Sequence, residues 1–385
     1  MKEKFIPFAK PLLGKEEKES AARVLNGTTL THGPECRKFE KIFGDYHQKY
    51  NSVTLSNCTS AMFLALKSLN IGIGDEVIVP AMTHIATAHC VLHTGAKVVF
   101  CDIEKSTGNI DTKLITKKIS SKTKAIIVVH FVGLPADMEN IEKIAKKYSL
   151  NIIEDCAAAL GAKYNGKLVG TLSKAGCFSF YPTKHITTME GGMLITSSKS
   201  FANNIRKLSS FGYNKSMQER SIPGIYDVDL LGFNMRMSEV AASIGIEQVK
   251  KLPNFIIKRK NNSNIIRNIL LDLKDIYILP DKQKKSESSN FCVNIVLKKN
   301  SAARRNKLIL KLKSNNLGTS VHYPVSLPNS KYYKKFFKNN VNILTQFPIA
   351  SYFANSIISL PCGPHLSRAT AKLVAEKFIK SYKEL

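Results

Sequence analysis

The chain has 385 residues, 44% of them hydrophobic and 22% charged, which is ordinary globular composition and long enough for one large and one smaller domain. No apolar run reaches the roughly 18–20 residues that cross a bilayer, and Met1–Lys15 lacks a continuous apolar stretch with a cleavage site, so a cytoplasmic protein is expected, with no membrane partner. The net charge is +28, but its lysines and arginines are scattered, with Lys-Lys pairs from 117–118 to 334–335; this predicts a solvated basic surface that attracts anionic substrates, with no nucleic-acid partner.

From about residue 50 to 200, short apolar runs alternate with helical patterns. Strands are predicted at Ser52–Leu55, Glu76–Pro80, Lys97–Asp102, Ala125–His130, Asn151–Glu154, Gly176–Phe180 and Met193–Thr196. Helices are predicted between them, at Ala61–Leu69 and Met138–Lys147 among others. Such alternation implies an α/β fold: a mainly parallel sheet covered by helices, with ligands at the carboxyl ends of its strands. A helix is expected over Asn234–Val249, ended by Pro253, and another over Ile256–Leu273. After about 275 the pattern becomes a smaller α+β unit. Its strands are expected near Asn290–Leu297 and Gly318–His322, and its helices at Ala303–Lys313 and Arg368–Tyr382. The predicted division is a large domain over 1–255, with an N-terminal arm, and a small domain over 256–385.

Eight cysteines are present and none forms a C-x-x-C pair, so no zinc or dithiol site is predicted and no metal is expected. Three segments carry chemistry. In Phe178–Gly192, Lys184 leaves a strand end through a Pro-Thr turn, where a partly closed pocket can free its amine to attack a carbonyl. Asp155 ends the apolar run Leu150–Glu154; it could cap the next segment, or pair with a cationic ring nitrogen. Ser56-Asn57-Cys58-Thr59-Ser60 lies between a strand and a helix, where free N–H groups and hydroxyls suit either capping or phosphate binding.

These segments, with Thr31-His32-Gly33-Pro34, His130-Phe131-Val132-Gly133, Gly232-Phe233-Asn234-Met235-Arg236 and His322-Tyr323-Pro324, resemble the DegT/DnrJ/EryC1/StrS sugar aminotransferases over nearly the whole chain. Within that family the Phe178–Gly192 stretch is similar to perosamine-synthase-like members. The resemblance implies a fold-type I enzyme with pyridoxal 5'-phosphate (PLP). Lys184 would be the Schiff-base lysine, and Asp155 would keep the pyridinium nitrogen protonated. Cys58, Thr59 and Ser179 would flank the phosphate, His84 would stack on the ring, and Asn234 would reach the neighbouring subunit's cofactor, implying a homodimer with shared active sites. Tyr181, His185, Glu190 and His322 would face the sugar. The implied reaction takes an amino group from L-glutamate to a nucleotide-linked 4-keto-6-deoxy sugar, as in glycan surface biosynthesis. A 3-keto nucleotide sugar or an eight-carbon acidic sugar is the alternative, and a dehydratase, a non-enzymatic PLP-binding protein or a nucleic-acid binder is further off. Three positions depart from the family pattern: Cys58 and Met189 replace glycine, and Ala158 stands where a polar side chain is common.

Overall fold

The computed structural model describes residues 4–48, 50–215, 219–299, 301–337 and 342–385, so the first three residues of the Met1–Lys15 segment lie outside the described residues. Seven strands form the central sheet: β1 (Asn51–Leu55), β2 (Glu76–Pro80), β3 (Lys97–Cys101), β4 (Thr123–Val129), β5 (Asn151–Asp155), β6 (Ala175–Ser179) and β7 (Gly192–Thr196). Their order is β1-β7-β6-β5-β4-β2-β3, and every pairing is parallel except the two made by β7. Nearly continuous burial of β2, β4 and β5 follows from their runs of Val and Ile, because helices cover both faces. The α/β expectation is met, with each strand predicted between about residues 50 and 200 found within about two residues of its place.

Local chemistry sets the helix starts. The helix after β1 runs Cys58–Ser68 and begins earlier than predicted, because the Asn57 side chain accepts the Ser60 N–H at 2.8 Å. Pro253 does not end its helix, contrary to expectation. A single helix runs Glu239–Leu270 with Pro253 inside it, and Ser238 rather than Asn234 marks its start. An interior proline costs about 3 kcal/mol. Packing on both sides of it outweighs that cost: Val249, Leu252 and Phe255 are buried in the core under the large sheet, and Ile266 and Leu270 in a second core.

The second core lies on an antiparallel sheet of β8 (Ile276–Ile278), β9 (Val293–Leu297) and β10 (Ile357–Leu360), covered by helices Ala302–Ser314 and Arg368–Lys383. The long helix therefore runs through residues 255 and 256 and serves both cores. Ile6, from the N-terminal arm, also packs into the second core; it bonds the Asn316 carbonyl and the Gly318 N–H at 2.9 and 2.8 Å. The expected strand at Gly318–His322 is not a ladder strand. This segment touches its neighbours through isolated bridges, Leu317 with Ile6 and Ser320 with Ser359.

His47 sits fully buried between Phe43 and Phe178, with Nδ1–H donating to the Phe43 carbonyl at 2.9 Å and Nε2 unpartnered. Burial pushes its pKa down to about 4 from an ordinary 6.5. The unfolded chain therefore takes up this proton first, and stability is lost as pH falls from 6.5 towards 4. Between pH 7 and pH 5 this one group should cost about 2 kcal/mol. Urea midpoints at the two pH values should lie closer together in His47→Phe than in the parent chain.

Candidate active site

The adjacent strands β5 and β6 bring Asp155 and the turn that carries Lys184 close enough for the Asp155 charge to act on the lysine. Asp155 closes β5, is 5% exposed, and accepts the Thr87 hydroxyl at 2.8 Å and the Ala157 N–H at 3.1 Å. No lysine or arginine pairs with it among the described residues. Thr83 supports Thr87, hydroxyl to hydroxyl, at 2.9 Å. Glu154, one residue earlier, points to the other side of the strand. It accepts from the Gly170 and Leu172 amides, the Ser173 hydroxyl and His130 Nε2 at 2.6–3.0 Å. His130 Nδ1 in turn accepts the Ala136 N–H at 3.1 Å, so Nε2–H is the ring donor to Glu154. Cys156 brings a third ligand-type atom within 4.8 Å of His130 and Glu154, but hydrogen bonds already occupy the carboxylate and the ring.

Lys184 stands on a turn beyond β6, with its amide donating to the Tyr181 carbonyl at 2.9 Å and its Nζ 5.2 Å from the Phe291 ring centre. Burial lowers its pKa, and the nearby Asp155 charge opposes that shift. An amine in this balance is available both as a nucleophile and as a proton carrier. Its carbonyl is held by Arg259 at 3.4 Å, and the same guanidinium donates to the Phe291 carbonyl at 2.9 Å.

A cradle for a phosphate lies beside these groups. Gly192 pairs with both Leu55 and Ser179 across the sheet. A Cβ on Gly192 would lie 2.3 Å from the Asn57 carbonyl carbon and 2.6 Å from the Cys58 nitrogen. Glycine alone lets the start of helix Cys58–Ser68 come this close to β7. The side chain of Asn57 caps Ser60, so the amides of Cys58 and Thr59 stay free for an anion. Cys58 is buried, and burial keeps its thiol protonated far above neutral pH.

The remaining sequence-predicted residues divide into two sets. His84 is exposed, caps helix Ile85–His93 and lies 5.9 Å from the Tyr323 ring. Although the residue is exposed overall, partial desolvation of its ring and then the Lys184 charge lower its pKa. His322 is half-buried, and burial together with Lys184 and His84 pushes its pKa down to about 3. Tyr181 and Glu190 are exposed beside the Lys184 turn, and Asn234 is exposed on a separate segment next to Met235, whose carbonyl accepts the Ser56 N–H at 2.9 Å. His185 does not face an open sugar pocket, contrary to expectation. It is 3% exposed, with Nε2 3.3 Å from the Ser289 carbonyl, Nδ1 sealed without a partner, and its ring against Phe291. The turn that exposes Tyr181 drives its neighbour three places after Pro182 into the junction with the second sheet. Met189 adopts φ +69°, a left-handed conformation that explains why glycine is common there and that costs a side-chain-bearing residue about 1 kcal/mol. Thr87, Phe291 and Arg259 are the functional neighbours that the sequence reading missed.

These residues fit PLP: free amides and hydroxyls for a phosphate, a buried carboxylate without a salt-bridge partner among the described residues, and a lysine whose pKa burial lowers. Gly192→Ala should push the helix start away from β7 and weaken cofactor retention at least tenfold, with folding stability reduced by about 1–3 kcal/mol; equilibrium dialysis against PLP and thermal unfolding check the two effects.

Comparison with known proteins agrees. The DegT/DnrJ/EryC1/StrS aminotransferase family matches residues 11–379. GDP-perosamine synthase of Escherichia coli O157:H7 is 34% identical over 386 residues, covering 99% of this chain and all of that protein. Spr1654 of Streptococcus pneumoniae, assigned as a sugar aminotransferase and solved in its PMP form, superposes with a TM-score of 0.92 at 28% identity, over 98% of this chain and 99% of the other. Helicobacter pylori PseC, an aminotransferase involved in the biosynthesis of pseudoaminic acid, superposes with a TM-score of 0.91 at 28% identity over the whole of both chains. A PLP site assembled on this fold, and a family match over almost all of its length, place the chain in the DegT/DnrJ/EryC1/StrS aminotransferase family as a PLP-dependent sugar aminotransferase.

Proposed function

We propose that the chain transfers an amino group from L-glutamate to a nucleotide-linked 4-keto-6-deoxy sugar. The observation that carries this reading is the end-to-end likeness to GDP-perosamine synthase. Bound PLP supplies an electron sink and carries the amino group between the two substrates. The chain's own residues do the rest. Lys184 Nζ would hold the cofactor and, within each half-reaction, move a proton between the substrate carbon and the cofactor carbon bonded to the same nitrogen. The Asp155 carboxylate, oriented by Thr87 and Ala157, holds the ring nitrogen in its protonated form. Cys58 and Thr59 amides with the Ser179 hydroxyl bind the phosphate, and His84 covers the ring.

The proposal includes a homodimer in which Asn234 serves the neighbouring subunit's cofactor. Supporting this, the segment before Asn234 exposes Ile222, Ile225, Val228 and Leu231, the last at 87%. The basic surface suits a nucleotide diphosphate. A second reading, an aminotransferase acting on a different keto sugar, draws on the likeness to PseC, an aminotransferase involved in the biosynthesis of pseudoaminic acid.

The visible absorption band of the PLP-loaded protein should vanish on adding L-glutamate and return on adding a 4-keto-6-deoxy nucleotide sugar. Return with 3-keto nucleotide sugars or an eight-carbon acidic keto sugar alone would reject the first reading. Lys184→Ala should lose turnover by at least three orders of magnitude while its circular dichroism and melting temperature stay near those of the parent; steady-state assay of keto sugars measures the loss.

A further inference from the structure

The His322 ring lies among Phe8, Phe291 and Tyr323, with centroids 5.7, 5.5 and 5.4 Å away. Its Nδ1 is 2.8 Å from Ser359 Oγ. Ser359 Oγ is in turn 2.6 Å from Asn294 Oδ1. A hydroxyl has one proton to give, and an amide oxygen can only accept. The Ser359 proton therefore goes to Asn294, and Ser359 must accept from His322. Cys292 Sγ also donates to Asn294 Oδ1, at 3.5 Å, which agrees with that end of the amide being oxygen. Both anchors are buried, Asn294 at 2% exposed and Ser359 at 0%, and they face each other in the β9–β10 ladder. The strand pairing thus fixes the relay before any ligand arrives.

With a proton on Nδ1, a neutral imidazole carries a bare lone pair on Nε2. That nitrogen makes no hydrogen bond among the described residues and is not sealed in the interior. The titratable groups acting on the ring are Lys184 and His84, both of which oppose a second proton there. Lone pair and pocket together decide what Nε2 can meet. A hydroxyl O–H would be attracted; a carboxylate or a carbonyl oxygen would be repelled.

We infer that Ser359 and Asn294 are positioning residues that lock His322 as a hydrogen-bond acceptor, and that His322 selects the sugar substrate through one of its hydroxyl groups. This rests on the reading of the substrate as a keto sugar. It assigns the amino donor's carboxylates to other groups, since they bring no proton to this nitrogen.

Two measurements test it. In the cofactor-free protein labelled with nitrogen-15 histidine, the His322 signals should show the proton on Nδ1. Ser359→Ala should move it wholly or partly to Nε2, and Ser359→Thr, which keeps the hydroxyl, should leave it on Nδ1. In the PLP-loaded protein, Ser359→Ala should slow the sugar half-reaction about tenfold more than the amino-donor half-reaction. A parent chain with the proton on Nε2 overturns the relay. Equal slowing of both half-reactions by Ser359→Ala overturns the selection of the sugar. A parent chain that turns over no keto sugar removes the reading beneath the sugar claim and overturns that part, while the nitrogen signals still decide the relay.

Discussion

An acidic charge buried at the end of β5 organises the centre of this protein. Asp155 and Glu154 are adjacent, so the strand's period of two sends them to opposite faces. Glu154 is absorbed by its surroundings: four donors from the 170–173 loop and His130 use its oxygens and tie β4, β5 and that loop together. Among the described residues, Asp155 receives only Thr87 and Ala157. A buried carboxylate so lightly paired is costly unless a cationic group joins it. Two buried acids thus stand side by side, and they differ in how many donors the fold assigns to each.

The environment of Lys184 follows from the same charge. Burial favours the neutral amine and Asp155 favours the ammonium, so the two influences act against each other on one nitrogen. The phosphate cradle rests on a different constraint, the missing side chain at Gly192, which joins the start of one helix to the sheet's antiparallel strand. Charge sets the environment of Lys184, and steric absence shapes the approach of the Cys58 helix to the sheet. The replacement of glycine by Cys58 fits this division, because its buried, protonated thiol adds bulk behind the cradle without adding charge.

Much of this was legible in the sequence. Strands buried on both faces need unbroken Val and Ile runs, and β2, β4 and β5 show them. Asp155 and Lys184 were legible because each ends such a run or follows it, where an ionisable group is conspicuous. Thr87 was not: its partner Asp155 is 68 positions away, and a threonine in an apolar helix gives no local sign of it. His185 was misread because sequence adjacency to Lys184 says nothing of direction after a Pro-containing turn. Pro253 was misread for an energetic reason. Its local penalty is visible in the sequence, whereas the burial of Leu252 and Phe255 that outweighs it appears only once the helices at Lys15–Leu25 and Pro34–Tyr46 are in place.

That uninterrupted helix has a consequence for how the molecule comes apart. Its first half is a wall of the core beneath the large sheet, and its second half is a wall of the core on β8–β10. Melting either core strips one half of the rod of its packing, and a solitary helical half has little stability in water. Ile6 adds a second tether by carrying the beginning of the chain into the later core. Unfolding of the two cores is consequently coupled, and the Lys184 turn, whose carbonyl Arg259 of that helix holds together with that of Phe291, is lost with them.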